Sequence, residues 1–354
     1  MEKTVSKKKK IIKYIIISLC AVMLIALASA SFLIYADYSA LANSFQKVTL
    51  NIPKGANTDD IAQLLKENGA IKFPNVFKVY VKLKKAGAGF MRGEHEISCD
   101  AGYDGLIQAL SQPASNIITV TIPEGFWQAQ IVDRFINKGL GTKEEWEKAL
   151  SEDYDYDFLP EEMGENRFEG YLFPATYNFY SDDSPQIIID TLLSEFGKRI
   201  KKIGLEEKAQ QMGLTLSDAI KLASIIQSEV PSLKEMQRVS AVFHNRLNID
   251  MKLQSCVTVM YALGEHKSSV SIADTKTESP YNTYYVKGLP KGPICNPGED
   301  ALSACVSPDQ DTVEQQYLYF YTPNSKEVVY SKTYAEHKKA IAKNKGGTGT
   351  STVN

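Results

Sequence analysis

The chain has 354 residues, enough for an anchor and two domains at the usual ~100–200 residues each. Forty basic residues against forty-two acidic leave a net charge of −2. No basic domain or stripe marks a nucleic-acid footprint, so nucleic acid is excluded as a partner.

Lysines at 3, 7, 8, 9, 10 and 13 precede "YIIISLCAVMLIALASASFLIYA" (14–36), which carries no charge before Asp37. A bilayer core needs ~20 apolar residues, so 14–36 is expected to be a transmembrane helix. The positive-inside rule puts residues 1–13 in the cytoplasm as a tail, and everything beyond a 37–47 linker outside. The stretch "ALASA" offers a peptidase small residues. The apolar core, however, is longer than the ~7–15 residues of a cleaved signal peptide, which favours a retained single-pass anchor in the cell membrane.

An internal echo follows. "VTLNIPKGANTDDIAQLLKENGAI" (48–71) and "ITVTIPEGFWQAQIVDRFINKGLG" (118–141) align at an offset of 70, matching Ile52-Pro53, Gly55, Ile61 and Gly69 to Ile122-Pro123, Gly125, Ile131 and Gly139. Each reads as a short alternating strand, a Pro-x-Gly turn and an amphipathic helix closed by glycine. Two copies are too few for a solenoid. They divide the chain into a small strand–helix module at 48–114 and a larger domain at 115–345, an α+β protein overall. The acidic, tyrosine-rich 151–170 is expected to be a surface loop. Helices are expected at 185–203, 217–230 and 234–248.

The middle helix, "SDAIKLASIIQSEV", carries the chemistry. With Ser217 as N-cap and Pro231 as terminator, Ala219, Leu222, Ala223, Ile225, Ile226 and Val230 share one arc, and Lys221, Ser224 and Ser228 lie opposite. Glu229 falls among the apolar positions. An apolar surround and the negative end of a helix both disfavour its ionised form. A carboxylic acid protonated near neutral pH is what glycosidic-bond cleavage requires. The competing reading is a glutamate paired with a buried arginine.

From 253 onward short strands and loops are expected. "SPYNTYYVKGLPKGPICNPG" (279–298), with four prolines and three glycines, is a loop. "YLYFYT" and "EVVYS" form a hairpin around Pro323-Asn324, and the tail 346–354 is expected to be disordered. The five cysteines lack C-x-x-C spacing; a Cys295–Cys305 disulfide is open. The four histidines show no ligand spacing, so no metal site is expected.

In order and spacing, "FEGYLFPATY", "LASIIQSEV", "VSAVFHNRLNIDMKLQS", "SPYNTYYVKGLPKGPICNPG" and "YLYFYT…EH" resemble the YceG-like family of endolytic murein transglycosylases over roughly 48–342. The resemblance implies a membrane-anchored protein with a LysM-like module at 48–114 and a catalytic domain that cuts nascent peptidoglycan glycan strands, without cofactor or metal. Glu229 stands at the family's catalytic glutamate. Cell-wall synthases are the implied partners. The chain departs from the family at Gln227 and Val230 beside that glutamate, and at Cys256-Val257 where Asp-Pro is usual. Those departures motivate an alternative, an inactive peptidoglycan-binding scaffold.

Strand-binding groups are expected from Gln254, Tyr281, Asn282 and Thr283, the tyrosines offering stacking faces. The alternative for "SPYNTY" is an Asn-centred turn with packed tyrosines. Arg246 is expected to be structural and to pair with a buried acid, and Glu169 to be a supporting acid in an aromatic setting.

Overall fold

The structure is a computed structural model and describes residues 2–40, 45–160, 166–322 and 327–343. The chain divides after Ile117 into two units.

The first unit opens with helix α1, Glu2–Tyr38, whose stretch Ile16–Tyr38 is 23 residues long, exposed as far as Tyr35, and apolar enough to cross a membrane. Strands β1 (Lys47–Ile52) and β2 (Gly93–Ser98) pair antiparallel, with Leu50 opposite His95. Helices α2 (Thr58–Glu67), α3 (Pro74–Lys84) and α4 (Gly102–Leu110) complete the unit. Alternation along β1 buries Leu50 and Ile52, which join Ile61, Leu65, Phe77, Val81 and Leu106 in one core. Asn57 and Asp60 form the capping box that starts α2.

The expected linker differs from what is found. Helix α1 runs through Asp37 and Tyr38, and buried Asp37 accepts hydrogen bonds from the Lys72 and Phe73 amides (2.6 and 3.0 Å) and the Tyr103 hydroxyl (2.5 Å). The carboxylate thereby serves the two amides that lead into α3, just ahead of its Pro74. Residues 41–44 lie outside the described residues.

The second unit begins with β3 (Ile117–Thr121), α5 (Gln128–Asn137) and α6 (Lys143–Ser151). The echo is therefore structural: β1–turn–α2 and β3–turn–α5 repeat. The matched glycines Gly55 and Gly125 have φ of 80° and 78°, and Gly69 and Gly139 have 74° and 78°, a region glycine enters without steric cost. Strand β4 (Thr176–Tyr180) pairs with β3. Then come α7 (Pro185–Ile203), α8 (Leu205–Gln211), α9 (Leu216–Glu229) and α10 (Leu233–Asn248), three of them close to the expected bounds.

Beyond residue 253 the expectation of strands and loops holds only in part. Helices α11 (Cys256–Leu263), α12 (Glu299–Cys305), α13 (Gln310–Glu314) and α14 (Tyr334–Lys343) occupy much of it. They are too short for a 3.6-residue period to show in sequence. Strands β5 (Tyr319–Tyr321) and β6 (Val329–Ser331) pair antiparallel as the hairpin arms, while Pro323-Asn324 and the 346–354 tail lie outside the described residues. Segment 279–298 is loop throughout.

Residues 151–170 are not wholly a surface loop. Phe168, Glu169 and Gly170 are buried, and Gly170, at φ 91°, leaves no room for a Cβ beside Pro293 (2.5 Å). Cys295 and Cys305 are free thiols; each donates to a helix carbonyl, of Ser224 and Leu302.

Candidate active site

Helix α9 starts two residues earlier than its sequence suggests, because Thr215 rather than Ser217 caps it, accepting from the Asp218 amide at 3.1 Å. It packs against both α10 and α12, so both of its faces are covered. That explains Ser224, which lies opposite the apolar arc. It is fully buried, its hydroxyl donating to Lys221 O and accepting the Ile294 amide at 3.0 Å. The helix stops at Glu229 because Val230 is extended (φ −147°, ψ 147°) ahead of Pro231.

The Glu229 Oε1 accepts a 2.5 Å hydrogen bond from Ser255 Oγ, while among the described residues Oε2 has no hydrogen-bond partner. Burial raises the Glu229 pKa above the usual carboxyl range. The Ser255 bond and the positive charge of Arg246 act against it. The Arg246 guanidinium spends its Nε on Leu318 O (2.6 Å) and Nη1 on Leu253 O (2.5 Å), and it acts on Glu229 as a cation through space. It holds the segment leading to Ser255.

Ser255 occupies the N-cap position of α11, yet its side chain makes no capping bond there. The hydroxyl that ordinarily serves a helix start, worth ~1 kcal/mol, is turned to Glu229 instead. Its backbone is fixed by Thr283: Ser255 N donates to Thr283 Oγ1 at 3.0 Å, and Gln254 N to Thr283 O at 3.2 Å. Gln254 itself sits at φ 47°, a left-handed conformation costly for a residue with a side chain.

The four expected binding residues are thus distributed differently from the expectation. Asn282 and Thr283 are completely buried. The Asn282 amide donates to Thr275 O and Thr277 O and its oxygen accepts from the Tyr284 amide, the Asn-centred turn. Thr283 is occupied by Ser255 and by Thr258 Oγ1 at 2.8 Å. Tyr281 packs on Tyr261 (centroids 5.0 Å apart) and lines a smaller recess of about 210 Å³ beside Glu169. Thr283 positions Ser255, and through it the acid.

Glu229 opens on a cleft of about 390 Å³. The α9 end contributes Gln227, Ser228 and Glu229, the β3–α5 turn Glu124, Gly125 and Trp127, and α11 Cys256, Val257 and Met260; His266 and Phe320–Thr322 close it. His266 stacks on Trp127 at 4.0 Å, and Tyr261 meets the indole edge-on at 5.3 Å. Sequence reasoning did not single out Ser255, Glu124, Trp127 or His266, although Ser255 sits in the quoted "KLQS" and Glu124 and Trp127 in "IPEGFW".

Behind the cleft, Glu169 and Asn296 tie the loops together. Glu169 accepts from the Gln128 amide (3.0 and 3.1 Å), Asn296 Nδ2 (2.8 Å) and Tyr261 (3.2 Å). Burial pushes its pKa up to about 8 against those donors. Asn296 also accepts the Gly170 and Leu172 amides and donates to Phe126 O at 2.9 Å. Every side-chain polar atom of the pair has a partner.

The YceG-like family model matches residues 50–343. A protein of Bacillus subtilis strain 168 named endolytic murein transglycosylase is 33% identical over 310 residues, 84% of each chain. One of the same name from Streptococcus pneumoniae strain D39 is 28% identical over 331 residues, covering 85% of this chain and 59% of that longer protein. A crystal structure of a YceG-like protein from Listeria monocytogenes superposes with a TM-score of 0.52 at 32% identity, over 84% of this chain and all of that one. Together with the sequence motifs and the shared architecture, these matches show that the chain belongs to the YceG-like family.

Proposed function

We propose that the protein is an endolytic lytic transglycosylase of peptidoglycan, a lyase that cuts the MurNAc–GlcNAc β-1,4 bond of nascent glycan strands and so terminates or releases them. The observation that carries the reading is Glu229: one half-buried carboxyl with a raised pKa, at a cleft wall, oriented by a single hydroxyl donor. The names of the B. subtilis and S. pneumoniae relatives support it.

Protonated Glu229 gives its proton to the leaving glycosidic oxygen as the C1–O bond breaks and positive charge develops on the muramyl ring. The Glu229 carboxylate, stabilised at that moment by Ser255, takes the proton from the same sugar's C6 hydroxyl, and O6 closes on C1. Atoms balance without water, and the product ends in 1,6-anhydromuramate. A single group that is acid first and base second suffices, where ordinary glycosidases need two carboxyls. Trp127 and His266 offer a flat apolar face for a sugar ring. The strand–helix unit at 48–114 is a LysM-like module that holds glycan. Helix α1 anchors the chain in the cell membrane with its lysines inside and both domains outside, where cell-wall synthases are the natural partners.

The cleft also holds Cys256 at the position usual for aspartate, which favours the second reading, an inactive strand-binding scaffold. Digesting purified glycan strands with the full-length protein in detergent and weighing the products separates the two. Ends lighter than hydrolysed ends by one water, lost by ~10²–10⁴-fold in Glu229→Gln, support the enzyme. Intact strands that still bind support the scaffold.

A further inference from the structure

A second carboxyl shares the cleft with Glu229. Glu124 lies in the turn between β3 and α5, is exposed, and lines the cleft three residues before Trp127. Among the described residues no cation and no hydrogen-bond donor engages it, although ion pairs are frequent elsewhere in this unit. Its carboxyl group is seated directly over the Cα of Gly298, where a methyl group would overlap both the carboxyl carbon and its oxygens.

Gly298 has no conformational need to be glycine. Its φ is −79° and ψ 176°, open to any residue, and its amide donates to Gln227 Oε1 at 2.8 Å. What its missing side chain provides is the seat for Glu124. An unpaired acid covered on one side by bare backbone and facing a cleft on the other has acceptor capacity to offer a ligand.

We propose that Glu124 is a substrate-positioning residue that accepts hydrogen bonds from sugar hydroxyl or acetamido N–H groups of a glycan strand lying in the cleft. This deepens, and rests on, the transglycosylase reading. An aromatic face and a carboxylate from one turn suit a saccharide, which presents a flat apolar ring face and donors along its edge.

The test uses full-length protein in detergent and glycan strands stripped of stem peptides. Glu124→Ala should raise KM about 10–100-fold, the usual worth of a hydrogen bond to a charged group, with kcat within about threefold. Gly298→Ala should reproduce this rise while melting near wild type, because only the tip of a flexible side chain must move. The double variant should be no worse than Glu124→Ala alone. An unchanged KM, an effect confined to peptide-bearing strands, or additive single effects overturns the proposal. A kcat loss at constant KM overturns it too, since that places Glu124 in the chemistry. Strand binding measured in Glu229→Gln and Glu229→Gln/Glu124→Ala reads Glu124 without turnover. If wild type makes no anhydro ends but the double variant binds more weakly, the reaction assigned to Glu229 fails and Glu124 stands.

Discussion

Removing one oxygen, in Ser255→Ala, tests how the acid is tuned. The hydroxyl donates at 2.5 Å to Glu229 Oε1, a short bond of the charge-assisted kind worth ~1.5–3 kcal/mol. It favours the ionised carboxylate, so its loss must raise the Glu229 pKa further. At about 1.4 kcal/mol per pH unit the rise is about one to two units. Cleavage begins with a protonated acid, so the alkaline limb of kcat against pH should move up by that amount. The plateau should fall by ~10–100-fold, because the carboxylate formed in mid-reaction loses its donor. Stability follows the same sign. The pKa is already raised in the folded state, so the protonated acid favours folding at low pH, and that contribution is lost as pH rises through the folded value. The variant should therefore melt near wild type in acid and below it in alkali. The backbone should not move, since Thr283 holds the Ser255 amide and not the hydroxyl. The assay is anhydro-end release from glycan strands between about pH 5 and 9, the span that brackets a raised carboxyl pKa. A limb that stays in place or moves to lower pH would refute the reasoning.

Asn296→Ala strands the Gly170 and Leu172 amides and removes a donor from Glu169, so thermal melting should show a loss of ~3 kcal/mol or more; a loss under ~1 would mean water replaces the amide. If α1 is a retained anchor, the protein stays with membranes through a high-salt wash and keeps its N-terminal lysines; a soluble form beginning near Ser31 would show cleavage. Deleting 48–112 should weaken cutting of long strands while 118–343 keeps its melting transition, and an unfolded remainder would show one shared core.

Glu229 stands out in the sequence because the last turn of a long helix obeys a wheel, and an acid among Leu222, Ile225 and Ile226 breaks its pattern. Ser255 was not, because the bond it makes spans 26 residues and depends on a hydroxyl declining its local capping role. Asn282 and Thr283 look like ligand-binding polar residues in sequence; burial in a turn reverses that reading. Helices α7, α9 and α10 announced themselves by length, whereas α12 and α13, of 7 and 5 residues, are shaped by packing against longer neighbours. The offset-70 echo was visible because its glycines are required by backbone angles and not by surroundings.

The cross-bracing by Asn296 has a bearing on when the protein becomes dangerous to its own cell. The amide side chain clasps segments 124 to 170 positions earlier in the chain, and the loop that bears it also closes on Ser224 and Gln227. Contacts of such sequence separation form late, after the cost of closing long loops has been met. Until then Glu229 is an ordinary solvated acid with neither cleft nor hydroxyl donor. On the proposed role of Glu229, a half-made chain lacks the cleft that cutting requires.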